Sequence, residues 1–470
     1  MALSGREAVR LEPSRRRRLP WAAIAAIFAA ILVAAGAALW IRVGPEPVVT
    51  IRSDLPGIGP RTVVTSVAEA GGRGIGSIRV ELIQGGESVL LEERSHRPPG
   101  PFSLGGEPVG EATLEISVGR ESTPGLVEGE ATVRVTVERP GTLLRRPGPR
   151  VAELTLPVRF RPPDLSAVRV TATPTQSGSG VLRYLVGDSA VDSGVEVGSY
   201  RFPGHPLPGG GPQERFALFG VPYDSADPSP FRLVARDELG NEATVRFLGE
   251  VEPSPLRSST IRLSDGFMAR VVPAIMSRTP ELEDRGSLLD NYLMLNGELR
   301  RLNAERMVAI AADSAPRQLW SGPFRQMRNT QVMDQFATRR QYLYEGRVVD
   351  TQDHLGFDLA SRVQDDVPAA NSGVVVLTEY FGIYGNTVIV DHGYGLQTLY
   401  SHLSRIDVEA GQEVEAGQRL GLSGQTGLAG GDHLHFAVLL GGLPVNPLEW
   451  FDARWIRDHV GAVLPLQGDG

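Results

Sequence analysis

No cysteine occurs in the 470 residues, so the chain has no disulfide framework, and this absence alone fixes no compartment. Lysine is absent too: all 47 basic residues are arginine, which reads as a coding bias of the genome and not as a site. The helical zinc motif His-Glu-x-x-His is also missing, which excludes a helical zincin. Basic charge is short overall. The net charge is -8, and six of the arginines, against two glutamates, sit in residues 1–18, leaving the remainder at about -12. An acidic exterior argues against nucleic acid as a partner.

Length allows roughly three domains. Arg15–Arg18 precede an uncharged apolar run, Leu19–Ile41, with Trp21 and Trp40 near its ends. At about 1.5 Å per residue this run spans the ~30 Å of membrane hydrocarbon. Tryptophans favour the interfaces, and the arginines should stay cytoplasmic. The competing reading is a cleaved signal peptide with Ala35-Gly36-Ala37 as its site. The length of the run favours an uncleaved anchor.

Two β units should follow. Residues 131–137 and 151–156 alternate apolar and polar positions, and clusters such as Pro98–Pro101 punctuate the strands. Arg161-Pro162-Pro163 marks a boundary. Beyond it, Phe231–Ala235 and Ala243–Phe247 read as a hairpin turning at Asp237–Asn241. The second unit loosely resembles immunoglobulin-like modules of bacterial surface proteins. His96 and His205 lie in Pro/Gly-rich stretches and are expected in solvent. Glu281–Ala312 reads as one helix, with Leu288, Tyr292, Leu295, Leu299 and Leu302 on a face that packs against a neighbouring domain.

Five of the eight histidines fall between His354 and His435. In a strand, His433 and His435 point to one side, with Leu434, Phe436 and Val438 to the other. The same alternation would set Thr398, Tyr400 and His402 on one face. His354 and Asp358 share parity across Gly356. Imidazoles with a carboxylate on a polar face suit a borderline-soft cation such as Zn²⁺. His392, beside Asp391 and a glycine turn, reads as a hydrogen-bonded structural residue.

The motifs His354-x-Gly356-x-Asp358, Tyr384-Gly385-Asn386-Thr387-Val388, Tyr400-Ser401-His402-Leu403 and His433-Leu434-His435-Phe436, in that order between Phe336 and Trp450, resemble the lysostaphin-like (LytM-type) zinc peptidases that cut peptidoglycan peptides. The resemblance implies an antiparallel β groove, zinc ligands at His354, Asp358 and His435, and a catalytic pair at His402 and His433. It departs from the family at Gln364–Pro368, where a glycine-bearing turn is common, so the resemblance leaves substrate preference open.

The resulting expectation is a mostly β chain: an N-terminal transmembrane helix, two β-sandwich-like (immunoglobulin-like) domains, a helical connector and a C-terminal antiparallel-β peptidase domain. Its parts are a cytoplasmic basic tail (1–18), an anchor (19–41), β domains (42–163 and 164–250), a connector (251–335) and a zinc peptidase domain (336–460). The expected function is a zinc metalloendopeptidase of the cytoplasmic membrane, facing the periplasm, that hydrolyses peptidoglycan cross-links. Envelope protein partners could dock on the β domains. The alternatives are a non-catalytic wall-binding scaffold or activator of other hydrolases, and a protease for proteins outside the wall.

Overall fold

The structure is a computed structural model that describes residues 21–97, 107–171 and 173–465. The basic tail 1–18 and the Pro98–Pro101 cluster lie outside the described residues. The fold is mostly β, with many antiparallel sheets. The chain divides into two compact units, Met1–Phe160 and Arg161–Gly470.

The first unit contains the helix Trp21–Ile41, none of whose residues is buried. It is long and apolar enough to cross a membrane, a test that a signal sequence also passes. A sandwich follows. Val48–Ser53, Thr62–Glu69 and Glu111–Val118 form one antiparallel sheet, and Glu87–Ser95, Ser77–Gln84, Gly129–Glu138 and Arg150–Val158 the other. Ala131, Val133, Val135 and Val137 all point into its core, as the period-2 pattern predicts.

The second unit opens with another two-sheet sandwich. His205–Pro206, Glu214–Gly220, Ser179–Val186 and Leu165–Val170 make one sheet; Tyr200–Pro203, Ala190–Val197, Phe231–Asp237 and Glu242–Val245 make the other. The predicted hairpin is present, and the Asp237 carboxylate closes its turn by accepting from the Leu239 and Asn241 amides, each at 2.9 Å. His205 is not in solvent. Its ring packs 5.7 Å from that of Phe216 and 4.8 Å from that of Tyr394, and burial pulls its pKa down to about 4. Phe216, its partner on the next strand, and the sequence-distant Tyr394 override its Pro/Gly-rich surroundings.

The expected helix Glu281–Ala312 starts later and is not uniform. Ser287 caps it, accepting from the Asp290 amide at 3.0 Å, and Gly286 before it has φ +86°. The helix runs Leu288–Met294, passes through a π-turn at Leu295–Leu299, and continues as Arg300–Ala311. The π-turn inserts a residue and rotates the buried face from Tyr292, Leu295 and Leu299 to Asn303, Met307 and Ala311. A further helix, Asp265–Met276, was not expected from the sequence, and it accommodates Pro273 within it.

These helices cover one face of the large C-terminal sheet. Its antiparallel order is Gln331–Asp334, Phe357–Ala360, Leu434–Leu440, Leu396–Ser401, Asn386–Gly393, Gly373–Tyr380 and Glu413–Val414. Every residue of Leu434–Leu440 is buried. Leu434, Phe436, Val438 and Leu440 join the core continuous with the second sandwich, while Ala437 and Leu439 join the core under the helices. A second sheet pairs Ser258–Arg262 in parallel with Thr338–Tyr344, which pairs with Arg347–His354. It carries His354 to the edge of the main sheet.

Candidate metal centre and active site

His354 is the last residue of its strand, and Asp358 stands directly opposite His435 in the register of Phe357–Ala360 on Leu434–Leu440. Between them the chain passes under the His435 ring at Gly356. A Cβ at Gly356 would lie 2.5 Å from His435 Cε1, so only glycine allows the approach. His354 Nε2, Asp358 Oδ1 and His435 Nδ1 then meet, each 2.9 Å from the other two. All three residues are largely buried: His354 is 3% exposed, His435 5%, and the Asp358 side chain 13%.

The partners of the outward atoms decide what this cluster can bind. His354 Nδ1 lies 3.1 Å from the Gln335 carbonyl and must donate to it, which leaves Nε2 an acceptor. Burial raises the Asp358 pKa, but its contacts with His354, His433 and His435 outweigh it and hold the carboxyl well below its usual range. Burial pulls His435 down to about 4, so its ring is neutral near pH 7. A neutral His435 imidazole and an ionised Asp358 carboxylate are in the protonation states that metal ligation requires. Three inward atoms lie 2.9 Å from one another, and a divalent cation would satisfy them all. The donor set therefore fits zinc.

His402 and His433 border the cluster. The expected alternation fails at His402. Thr398 Oγ1 lies 2.9 Å from the Tyr400 hydroxyl, and the Tyr400 ring packs on Phe436 in the core. The backbone then takes φ +63° at His402 and turns its ring to the opposite side, 4.9 Å from the His433 ring and 5.9 Å from the His435 ring. Its Nδ1 donates to the Thr426 carbonyl at 2.8 Å. Burial, and then the neighbouring His433 and His435, drive the His402 pKa well below its ordinary value. His433 is opposite in behaviour. Burial lowers its pKa, but Asp358, 3.4 Å from Nε2, and the Gly431 carbonyl together raise it. His392 stays out of the cluster: its ring is buried between the Ser372 carbonyl, 2.7 Å from Nδ1, and Thr398 Oγ1, 2.8 Å from Nε2.

Sequence reasoning missed the support behind Asp358. Arg340 Nη2 lies 2.6 Å from Asp358 Oδ2 and 2.6 Å from Asp334 Oδ2. It reaches the site from the strand Thr338–Tyr344, upstream of the His-x-Gly-x-Asp motif, where no local pattern marks it. Arg340→Met should leave two carboxylates without their cation and weaken zinc binding by about 10- to 100-fold, as for lost outer-shell partners. Chelator competition measures this, and unchanged affinity would limit Arg340 to a role in folding.

With the geometry in place, residues 352–447 match the description of Peptidase family M23. The chain carries an M23 peptidase domain. The domain is similar to peptidoglycan DD-endopeptidase ShyA of Vibrio cholerae, 40% identical over 118 residues, which cover 25% of this chain and 27% of that protein. It is also similar to DD-carboxypeptidase/endopeptidase Mpg of Neisseria meningitidis, 39% identical over 95 residues, 20% of this chain and 22% of that one. Among solved structures, the catalytic domain of lysostaphin from Staphylococcus simulans is 28% identical, with 21% of this chain and 79% of that chain covered and a TM-score of 0.20. The chain thus spans about a quarter of the length of these two curated relatives. Arg340, Asp334 and Gln335 lie before the matched part of the M23 domain, so its cluster is braced from outside the matched segment.

Proposed function

We propose that this chain is a membrane-anchored, extracytoplasmic zinc endopeptidase that hydrolyses peptide cross-links of peptidoglycan. The observation that carries the reading is the meeting of His354 Nε2, Asp358 Oδ1 and His435 Nδ1 beside two further histidines in one open cleft. These three atoms are the metal ligands in this reading. Bound zinc supplies Lewis acidity and lowers the pKa of water to about 7.

The chain's own residues do the rest. His402, neutral and fixed through its Nδ1 proton on Thr426, presents Nε2 as the base that takes a proton and later returns it to the leaving amine. His433, bordering the cluster with its pKa raised beside Asp358, is placed to steady negative charge developing on the attacked carbonyl oxygen. Tyr384 lines the same cleft, with its ring 5.6 Å from that of His435. The substrate class rests on the names of the relatives, which are peptidoglycan and DD-peptide hydrolases.

The scaffold reading has no lost ligand to support it, since all five site positions are filled. Release of soluble fragments from purified peptidoglycan, abolished by a chelator and restored by zinc, tests the proposal. Zinc binding without turnover would favour the scaffold. Turnover of a denatured protein but not of peptidoglycan would favour a general protease.

The anchor reading rests on Trp21–Ile41 and the arginines that precede it. A phosphatase reporter fused after Gly470 should be active outside the cytoplasm, and activity of the fusion only inside would overturn the topology. The two sandwiches serve as spacers that carry the peptidase toward the wall and offer surface to envelope proteins.

A further inference from the structure

The cleft that holds the histidines also holds positive charge without a partner. It encloses about 340 Å³, within the range of ligand pockets, and three arginines line it against one carboxylate, Asp358. Arg340 is already paired with Asp334 and Asp358. Arg262 and Arg300 form no ion pair among the described residues. This is unexpected in a chain whose net charge is -8.

Arg300 is held in place. It follows directly on the π-turn Leu295–Leu299, and such turns occur often at functional sites. Its Nε donates to the Asn296 carbonyl at 3.0 Å and its Nη2 to Asn296 Oδ1 at 2.8 Å. Asn296 is fully buried, and its amide donates to Asp350 Oδ2 at 2.7 Å. One edge of the guanidinium is thereby fixed, while Nη1 makes no hydrogen bond among the described residues. A planar, permanently charged fork fixed on one side is suited to a carboxylate arriving on the other.

We propose that Arg300, with Arg262 at the rim, forms a carboxylate subsite, and that the peptide cut here carries a free carboxylate beside the scissile bond. This rests on the peptidase reading above and extends it to substrate choice. The carboxylate has two possible sources, the C-terminus of a short peptide or an acidic centre within the peptide. In the first case the enzyme would recognise chain ends, and in the second it would cut internal cross-links.

The test uses the full chain in detergent and a cross-linked peptide dimer whose scissile amide is replaced by a ketomethylene group. The dimer is prepared with all carboxylates free, with only the C-termini amidated, with only the internal carboxylates amidated, and fully amidated. Calorimetry should show the free form binding about 10- to 100-fold more tightly than the form that lacks the recognised carboxylate, as expected for charge-assisted hydrogen bonds. The single amidation that removes the preference identifies the source. Arg300→Gln should abolish the preference while leaving zinc content and affinity for the fully amidated dimer unchanged. Arg300→Lys, which keeps the charge and loses the fork, should retain part of it. Equal binding of all forms by the native protein, no binding of the free form, or a preference that survives in Arg300→Gln would overturn the subsite. Failure of the peptidase reading would look different: a cleavable dimer would stay intact while the carboxylate contrast in binding persisted.

Discussion

His435→Ala is expected to strip the protein of zinc and, with it, of activity. The substitution leaves only His354 Nε2 and Asp358 Oδ1 facing the centre, where three atoms had stood 2.9 Å apart. Catalytic zinc sites are built on three protein ligands with a fourth position for water, and two ligands do not hold the ion at physiological levels. The loss should exceed the ~10- to 100-fold that follows removal of an outer-shell partner. Metal analysis of the purified variant is the direct check, with circular dichroism to show that the sheet persists. Retention of one zinc per chain would remove His435 from the ligand set.

His402→Ala should behave in the opposite way: zinc kept, turnover lowered by about 10²- to 10⁴-fold for a lost acid/base group. His402 touches the cluster only through ring packing, and its Nδ1 hydrogen bond goes to Thr426. A complication is backbone conformation, because φ at His402 is +63°. Alanine is strained there, whereas asparagine tolerates the left-handed region. His402→Asn should therefore show the same loss of turnover with less loss of stability. Rates and zinc content need to be measured together, since ligands also protonate and release metal at low pH. Zinc lost from His402→Ala but kept in His435→Ala would reverse the assignment of roles.

The parts of the site visible in the sequence were those that obey a local period. His433 and His435 flank Leu434 at a spacing of two, and Leu434 and Phe436 do enter the core. The alternation at residues 131–137 and the hairpin at Phe231–Asp237 followed from the same rule. What was not visible depends on long-range register or on single backbone angles. The pairing of Asp358 with His435 spans 77 residues, and no periodicity reports it. One positive φ at His402 reversed the face expected from Thr398 and Tyr400. Arg340 reaches Asp358 from a separate sheet, through a parallel pairing with Ser258–Arg262 that no motif announces. The helix lost its first seven expected residues because the capping group is Ser287 and not a residue near Glu281. Propensity could not separate these, since Asp284 and Arg285 are compatible with a helix until Gly286 breaks it.

The central claim is hydrolysis of peptide bonds in peptidoglycan, and mass spectrometry of wall fragments tests it most directly. The full chain, loaded with zinc in detergent, is incubated with purified peptidoglycan, and the soluble products are compared with those of His435→Ala. Cross-linked dimers should disappear and monomers appear, each cut adding the mass of one water and exposing a new amine and a new carboxylate, with no change in the glycan ends. Products cut only in the glycan strands, or an unchanged dimer fraction from a protein shown to hold its zinc, would contradict it.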